Sequence, residues 1–354
     1  MVDWTASMQQ SFEYYIVNPN TWKNDRKLNT VKSSSIVRDK DVETLGSASI
    51  DLSEAIGECY VRIYLVIIQN GVTYRVPLAT VLTQTLPTSF DGKVNTISAD
   101  AYTPLIELKE NPPPIGYSVL EGENILDRAY EIVREYTRAP IVKTESSDKL
   151  EKDFVSNTDD TWMSFTADLI GCAKHQFDID PDGQIMFAPV QDIKTLQPVW
   201  TYNDSNTHSI LYPEITTEYD LYKIPNVVEV IYSSGKRNYT GIAINDNPNS
   251  PVSTVTRGRI IKHRVINPTD LGVPSQSMIQ KYAEDLLRAM SAVEYTIQYT
   301  HGYCPVRLGD CVRINYERAG IFDVKAKVIY QSIKCEPGCP VTEKAVYTSN
   351  LWKE

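Results

Sequence analysis

Residues 309–332, GDCVRINYERAGIFDVKAKVIYQS, alternate apolar and polar side chains on either side of a glycine-bearing turn. That two-residue period points to a β-hairpin. Val312, Ile314 and Tyr316 fall on one face, with Arg313 and Asn315 on the other. The turn is Glu317–Arg318–Ala319–Gly320, whose glycine tolerates the positive φ of a tight reversal. After it, Phe322, Val324, Ala326, Val328 and Tyr330 are expected on one face, opposite Asp323, Lys325 and Lys327.

The same chemistry recurs near the other end of the chain. Gly57–Glu58–Cys59–Tyr60–Val61–Arg62–Ile63 matches Gly309–Asp310–Cys311–Val312–Arg313–Ile314 with one extra residue. Each is followed by a turn (Asn70–Gly71 in the first copy) and by a similar strand, Ala79–Thr85 in one case and Ala326–Ser332 in the other. Strand sequences converge on a few residue types, so both a duplicated β-unit and coincidental strand chemistry produce such an echo. Duplication implies two similar β-barrels or sandwiches in one chain.

With 354 residues the chain has room for two or three domains, each with a core. Its 22 tyrosines favour strands and contact surfaces over helical bundles. A net charge of −10 argues against a protein that grips nucleic acid, since phosphate binding needs clustered Lys and Arg. It is compatible with a surface past which DNA slides. Met1–Trp4 shows no basic region leading into an apolar core, and the apolar run Val61–Ile68 is interrupted by Arg62 and too short to span a bilayer. Synthesis in a reducing cytoplasm is therefore expected, with the six cysteines as thiols.

Taken in order, residues 1–108 read as an all-β domain. Strands are expected at Phe12–Val17, Val31–Arg38, Ser47–Leu52, Val61–Gln69, Tyr74–Thr85 and, after the Asp91–Gly92 turn, Lys93–Tyr102. Asn70–Gly71 is a strong hairpin signal. Asn111–Pro112–Pro113–Pro114 ends this domain as an extended linker, because prolines lack amide donors. Residues 109–205 read as a small α+β domain. It contains a helix at Asn124–Tyr136, a second from Thr161 to His175 with Asp159 or Asp160 as N-cap, and a hairpin around Pro181–Asp182–Gly183. Residues 206–354 return to β. A strand at Val227–Tyr232 is bounded by Ser233–Ser234–Gly235, and 245–251 form an irregular loop. Then come a strand at Ile260–Ile266, a helix at Pro274–Ala292, a strand at Glu294–Tyr299, the hairpin and a last strand at Val341–Leu351. The helix at 274–292 places Ile279, Tyr282, Ala283, Leu286, Leu287 and Met290 on one face.

Candidate chemistry is sparse. Cys304, Cys311, Cys335 and Cys339 lie late in the chain, with His301 nearby. A tetrahedral zinc site needs four ligands, with sulfur about 2.3 Å from the ion, and no second pair stands at the right spacing. Cys172 and His175 are two ligand types on one helix and make no site alone. Asp178-x-Asp180-x-Asp182-Gly183 has the opening of a calcium loop, yet Pro189 occupies the position of the closing Glu, so a polar turn is expected. Asp159–Asp160 reads as solvated surface. His175, His208, His263 and His301 fit no metal or nucleophile motif, and no phosphate loop, dinucleotide fingerprint or serine elbow appears. No catalytic, cofactor-binding or metal-binding residue is assigned, and no enzyme activity is expected.

An all-β start, an α+β middle and a late helix leading into Cys304–Pro305–Val306–Arg307–Leu308–Gly309–Asp310 together resemble tailed-phage baseplate hub proteins. The resemblance extends to the late-control type proteins of contractile tails and injection systems. Ser35–Ile36–Val37–Arg38–Asp39, followed by Leu45–Gly46–Ser47–Ala48–Ser49–Ile50, is similar to the first barrel of such a hub. The resemblance covers most of the chain through short motifs. It implies two related tube-type barrels joined by the α+β domain and the late helix, in a homotrimer whose six similar units match a six-fold tail tube to a three-fold spike. Ring contacts of this kind need one patch repeated around the ring. The implied role is structural and cofactor-free, at the virion tail, after assembly in the host cytoplasm. The implied partners are the tail tube or distal tail protein, the central spike and the tape measure protein, with DNA passing through an open or closable channel. The residues on which the paired elements rest are Gly57, Glu58, Arg62 and Gln84 in the first copy, and Leu308, Gly309, Asp310, Arg313 and Gln331 in the second. Two other classes compete: a receptor- or carbohydrate-binding tail module, and a hub bearing a cell-wall hydrolase. The first needs clustered exposed aromatics, whereas Trp4, Trp22, Trp162, Trp200 and Trp352 are scattered. The second needs a catalytic constellation that no stretch supplies.

Overall fold

The computed structural model describes residues 2–90, 92–93, 95–204, 209–233, 237–268 and 275–352. Asp91, His208, the Ser234–Gly235 strand boundary and Pro274 lie outside the described residues. The chain divides into two compact units: unit 1 is 1–215 with 298–345, and unit 2 is 216–297 with 346–354. Among the described residues, no helix is long and apolar enough to cross a membrane.

Unit 1 begins with strands β1 (Gln9–Val17), β2 (Asn24–Leu28), β3 (Val31–Asp39), β4 (Gly46–Leu52), β5 (Tyr60–Gln69), β6 (Val72–Thr85), β7 (Thr88–Phe90) and β8 (Asn95–Tyr102). Asn70 and Gly71 both take positive φ, 51° and 76°, the requirement of a two-residue type I′ turn, and join β5 to β6. Most of β5 is buried, with Val61, Arg62 and Ile63 inside in succession. That is the pattern of a strand covered on both faces, and it explains the near-continuous apolar run. β2 is absent from the sequence reading because its residues, NDRKL, are polar and mostly exposed.

The helical part of unit 1 holds α1 (Ile106–Lys109), β9 (Ser118–Val119), α2 (Ile125–Tyr136), β10 (Phe154–Val155) and α3 (Trp162–Cys172). Asn124 caps α2, its side chain accepting from the Asp127 amide at 3.0 Å. The expected cap of α3 is corrected: Thr161, not Asp159 or Asp160, accepts from the Ser164 amide, and Ser164 reciprocates in a capping box. The same helix stops at Cys172 rather than His175, because Lys174 adopts a left-handed φ of 55° and turns the chain into the next strand. That strand, β11 (His175–Ile179), forms the expected hairpin with β12 (Ile185–Pro189). Trp162, Phe165, Leu169, Phe177 and Phe187 share the core of this region with α2.

The chain continues through β13 (Trp200–Asn203), β14 (Leu211–Tyr219), β15 (Val227–Ser233), β16 (Asn238–Ile244), α4 (Thr254–Arg257), β17 (Lys262–Ile266), α5 (Gln276–Met290) and β18 (Ala292–Gly302). It ends with β19 (Cys311–Tyr316), β20 (Ile321–Lys334) and β21 (Pro340–Asn350). A 14-stranded sheet runs in the order β14-β18-β21-β20-β3-β4-β8-β6-β5-β1-β2, with β19 on β20, β13 on β19 and β7 on β8. The fold is therefore mainly β, with a large, mostly antiparallel sheet. The terminal strands share one core: Ile50, Ile63 and Leu78 pack in the cluster that also holds Tyr303, Ile333 and Val341.

Both echoing stretches are hairpins of this sheet, β5–β6 and β19–β20. Their registers differ by two residues: Val61 faces Val81, whereas Val312 faces Ala326 and not Val328. A shift of two keeps each side chain on its face. One expectation fails here. Phe322 is exposed, because Asp323 takes a φ of 51° at the register irregularity opposite Ile314–Tyr316, putting β20's start out of phase with Ala326 and Val328. Tyr330 likewise gives way to Gln331 as the buried residue where β20 pairs with β3.

In unit 2, β15 is central in a three-stranded sheet ordered β16-β15-β17. Ile279, Ala283 and Leu287 of α5 pack on Val228, Val230 and Ala243. Gly241 permits this approach: a Cβ there would lie 2.5 Å from the Ile279 carbonyl oxygen.

Candidate functional site: a clamped hairpin and a buried polar junction

Unit 1 brings the first echoing stretch, and Arg307 just before the second, to the same small element. The Pro181–Asp182–Gly183 turn joining β11 to β12 is held on one side by β5 and β6. Arg62, buried among apolar neighbours, donates through Nε to Thr80 Oγ1 at 2.8 Å and through Nη2 to the Asp182 carbonyl at 2.9 Å. Thr80 Oγ1 donates to the Pro181 carbonyl at 3.1 Å, and Trp22 Nε1 donates to the Asp182 carbonyl at 2.7 Å. Gly183, with φ 79°, lets the turn approach so closely that a Cβ would lie 2.8 Å from Thr80 Cβ. On the other side, Arg307 Nη2 reaches both Asp178 carboxylate oxygens at 3.2 Å and the Ile179 carbonyl at 2.9 Å. The Asp-x-Asp-x-Asp motif is thus an anchored turn. Asp178 pairs with Arg307, Asp180 accepts from the Gln184 amide at 2.8 Å, and Asp182 offers its carbonyl to Arg62 and Trp22. Burial raises the Asp180 carboxyl above the usual range.

The remaining expected residues separate into these surroundings and others. Gly57 (φ 72°) precedes β5, its carbonyl accepting from Thr83 Oγ1. Glu58 stands 3.9 Å from Arg138. Gln84 lies half-buried near the end of β6. Gly309 (φ 81°) and Asp310 form the turn into β19. The Gly309 amide bonds the Val328 carbonyl, and the Asp310 carboxylate accepts from the Arg307 amide at 2.8 Å. Arg313 is half-buried and pairs with Asp323 at 3.1 Å, so it occupies a different environment from the buried Arg62, its counterpart in the echo. A cavity of about 680 Å³ opens beside the clamp, and Leu308, Gly309 and Asp310 line it with Leu78, Met163 and Asp178.

Unit 1 also holds a buried polar junction. Gln331, Glu343, His301, Tyr299, Tyr202 and Cys304 are all essentially inaccessible. Gln331 donates to Glu343 Oε2 at 2.6 Å and to the Val306 carbonyl at 3.0 Å, and accepts from Arg38 Nη1 at 2.8 Å. Tyr299 donates its hydroxyl hydrogen to Glu343 Oε1. His301 Nε2 sits 3.5 Å from Glu343 Oε2 and 3.1 Å from Tyr202 Oη, while Nδ1 bonds the Gly302 carbonyl at 2.7 Å. Burial works against charge on His301, but Cys304 and Glu343 outweigh it and push the imidazole up to about 10. Burial, and then Glu343, hold the Tyr299 and Tyr202 hydroxyls well above their ordinary range. This is a satisfied buried ion pair joining β13, β18, β20 and β21, and its atoms are closed to substrate. Sequence reading missed it, although Glu343 lies in phase with the buried Val341 and Ala345. A charge at a core position of a strand is the signal that was available.

The cysteines separate. Cys304 joins the polar junction, Cys311 is buried on β19, and Cys335 and Cys339 pack at the terminal-strand core. Burial pushes Cys335 up to about 11 and raises Cys339 further. Among the described residues, no group of three or more His, Cys, Asp or Glu has metal-site geometry.

No protein-family model and no curated protein matches the sequence. Solved structures do. A tail protein from Neisseria meningitidis aligns at TM-score 0.61 and 11% identity, over 96% of this chain and 97% of that one. The 43 kDa tail protein of prophage MuSo2 from Shewanella oneidensis aligns at TM-score 0.60 and 10% identity, over 95% and 98%. A chain of the Francisella PdpA–VgrG complex, half-lidded, aligns at 0.57 and 10% identity, over 96% of this chain and 58% of that one. The chain has the fold of these two tail proteins and of that chain of the VgrG complex.

Proposed function

We propose that this chain is a structural hub protein of a phage tail or related injection machine. In this reading it forms a homotrimeric ring that adapts the six-fold tail tube to a three-fold central spike, without catalysis or cofactor. The observation that carries it is end-to-end likeness to two tail proteins, with 95% or more of each partner aligned. Support also comes from the mainly β fold that the chain shares with those tail proteins.

The functional division within this reading is 1–108 as a first barrel, 109–205 as the α+β middle, and 206–354 as a second barrel with its inserted loop and helix. The proposed partners are the tail tube or distal tail protein, the spike and the tape measure protein. DNA passes through the ring, and the protein resides in the virion tail. Sedimentation of the purified protein, alone and with its tube protein, tests the reading. A trimer, or a ring formed with the tube protein, supports it, and a stable monomer with affinity for sugars overturns it.

A further inference from the structure

The two outer strands of the unit 2 sheet are treated differently. On β16, the Gln280 side-chain amide accepts from the Ile242 amide at 3.1 Å and donates to the Ile242 carbonyl at 2.9 Å, as a neighbouring strand does. Gln276 donates to the Thr240 carbonyl at 2.8 Å. That edge is closed. β17 ends the sheet, with no strand beyond it among the described residues.

On the face turned away from α5, the central-strand residue Val227 is buried, and the outer-strand residues are exposed. Registers place Ile244 beside Val227, Ile242 beside Glu229 beside Arg264, and Ile231 beside Ile266 on that face. Ile242, Ile244 and Ile266 are 44%, 52% and 65% exposed. Glu229 pairs with Arg264 at 2.6 Å and with Lys262 at 3.7 Å, so two cations share one carboxylate and the face keeps positive charge. Exposed apolar side chains ringed by charge mark a contact surface.

The charge of the chain is divided in the same sense. Unit 2 contains ten Lys and Arg against nine Asp and Glu, a net of +1, which leaves unit 1 with 25 against 36, a net of −11. A basic, isoleucine-bearing edge meets like charge in a copy of itself, which disfavours an isologous β17-to-β17 pairing. Against the acidic unit of another copy it is complementary, and such a heterologous contact closes into a ring when the rotation permits.

We propose that the free edge and open face of β17, with Lys262, Arg264 and Ile266 at the centre, dock against unit 1 of the next copy of this chain. This rests on the ring reading above and names the surface that makes the ring. The test is sedimentation of full-length wild type and of the double variant Lys262→Glu/Arg264→Glu at low and high salt. Circular dichroism and unfolding of both proteins establish that the variant folds. The expected result is a wild-type trimer whose dissociation constant rises at least tenfold with added salt, and a variant at least a hundredfold weaker. A second variant, Ile266→Asp, is expected to dissociate the trimer at both salts. A wild-type trimer matched by folded variants that remain trimeric overturns this surface and leaves the ring reading intact. Loss of binding to a tail partner with the trimer unchanged also overturns it. A wild-type monomer removes the ring reading itself.

Discussion

Replacing Gly183 by alanine tests whether the middle hairpin is clamped as tightly as its geometry states. Two effects add. The residue sits at φ 79°, where an L side chain costs about 1–2 kcal/mol, partly offset by the ~0.4–1 kcal/mol that alanine removes from unfolded-chain entropy. The new Cβ meets Thr80 Cβ at 2.8 Å and Trp22 Cζ2 at 3.0 Å, and Thr80 is a buried residue of β6. Overpacking of this kind costs about 1–3 kcal/mol. The sum is about 2–4 kcal/mol. Gly122→Ala is the internal control, since Gly122 has φ 84° and nothing within 4 Å of a built Cβ. It carries the backbone cost alone, about 1 kcal/mol. Because two compact units need not unfold together, the assay pairs urea denaturation with hydrogen exchange at the Gly183 and Gln184 amides, which bond Asp180 at 2.9 and 2.8 Å. Gly183→Ala is expected to exchange faster there and to lose more stability than Gly122→Ala. Equal costs for the two variants refute the close approach.

Further predictions address the other contacts. Arg62→Met is expected to cost about 2–4 kcal/mol in urea unfolding, because it removes charge-assisted bonds from a buried site and leaves Thr80 and the Asp182 carbonyl with fewer partners. Glu343→Gln is expected to cost about 3 kcal/mol, since it breaks a buried pair and forces His301 either to stay charged without a counter-ion or to give up its proton. The imidazole of His301 is raised from 6.5 to about 10, so its contribution is full below pH 6.5 and is lost as pH rises through 10. Stability measured between pH 7 and 8.5 should fall with a slope of at most about 1.4 kcal/mol per pH unit, and flatten in His301→Gln. A slope unchanged in the variant contradicts the charged imidazole. Asn124→Ala should cost about 1 kcal/mol by melting, from the lost cap of α2.

How much was legible in the sequence follows from the range of each interaction. Period-2 alternation, Asn70–Gly71 and the apolar stripe of α5 depend on residues a few positions apart, and they gave the strands, the turn and the helix nearly to their ends. The polar Pro181–Asp182–Gly183 turn was readable for the same reason, whereas its anchoring by Arg62, Trp22 and Arg307 was not. Tertiary structure decided what depends on distant partners. Arg62 and Arg313 look alike in sequence, yet the β11–β12 turn buries Arg62, whereas Arg313 is half-buried and pairs with Asp323. Glu343 and His301 lie 42 positions apart and become one buried ion pair only when β18 and β21 come together. Phe322 is turned outward by a left-handed Asp323, a backbone choice that alternation cannot encode. Local chemistry specified which segments become strands and helices. The fold alone specified which polar side chains the sheet buries, because burial is set by neighbours that sequence distance hides.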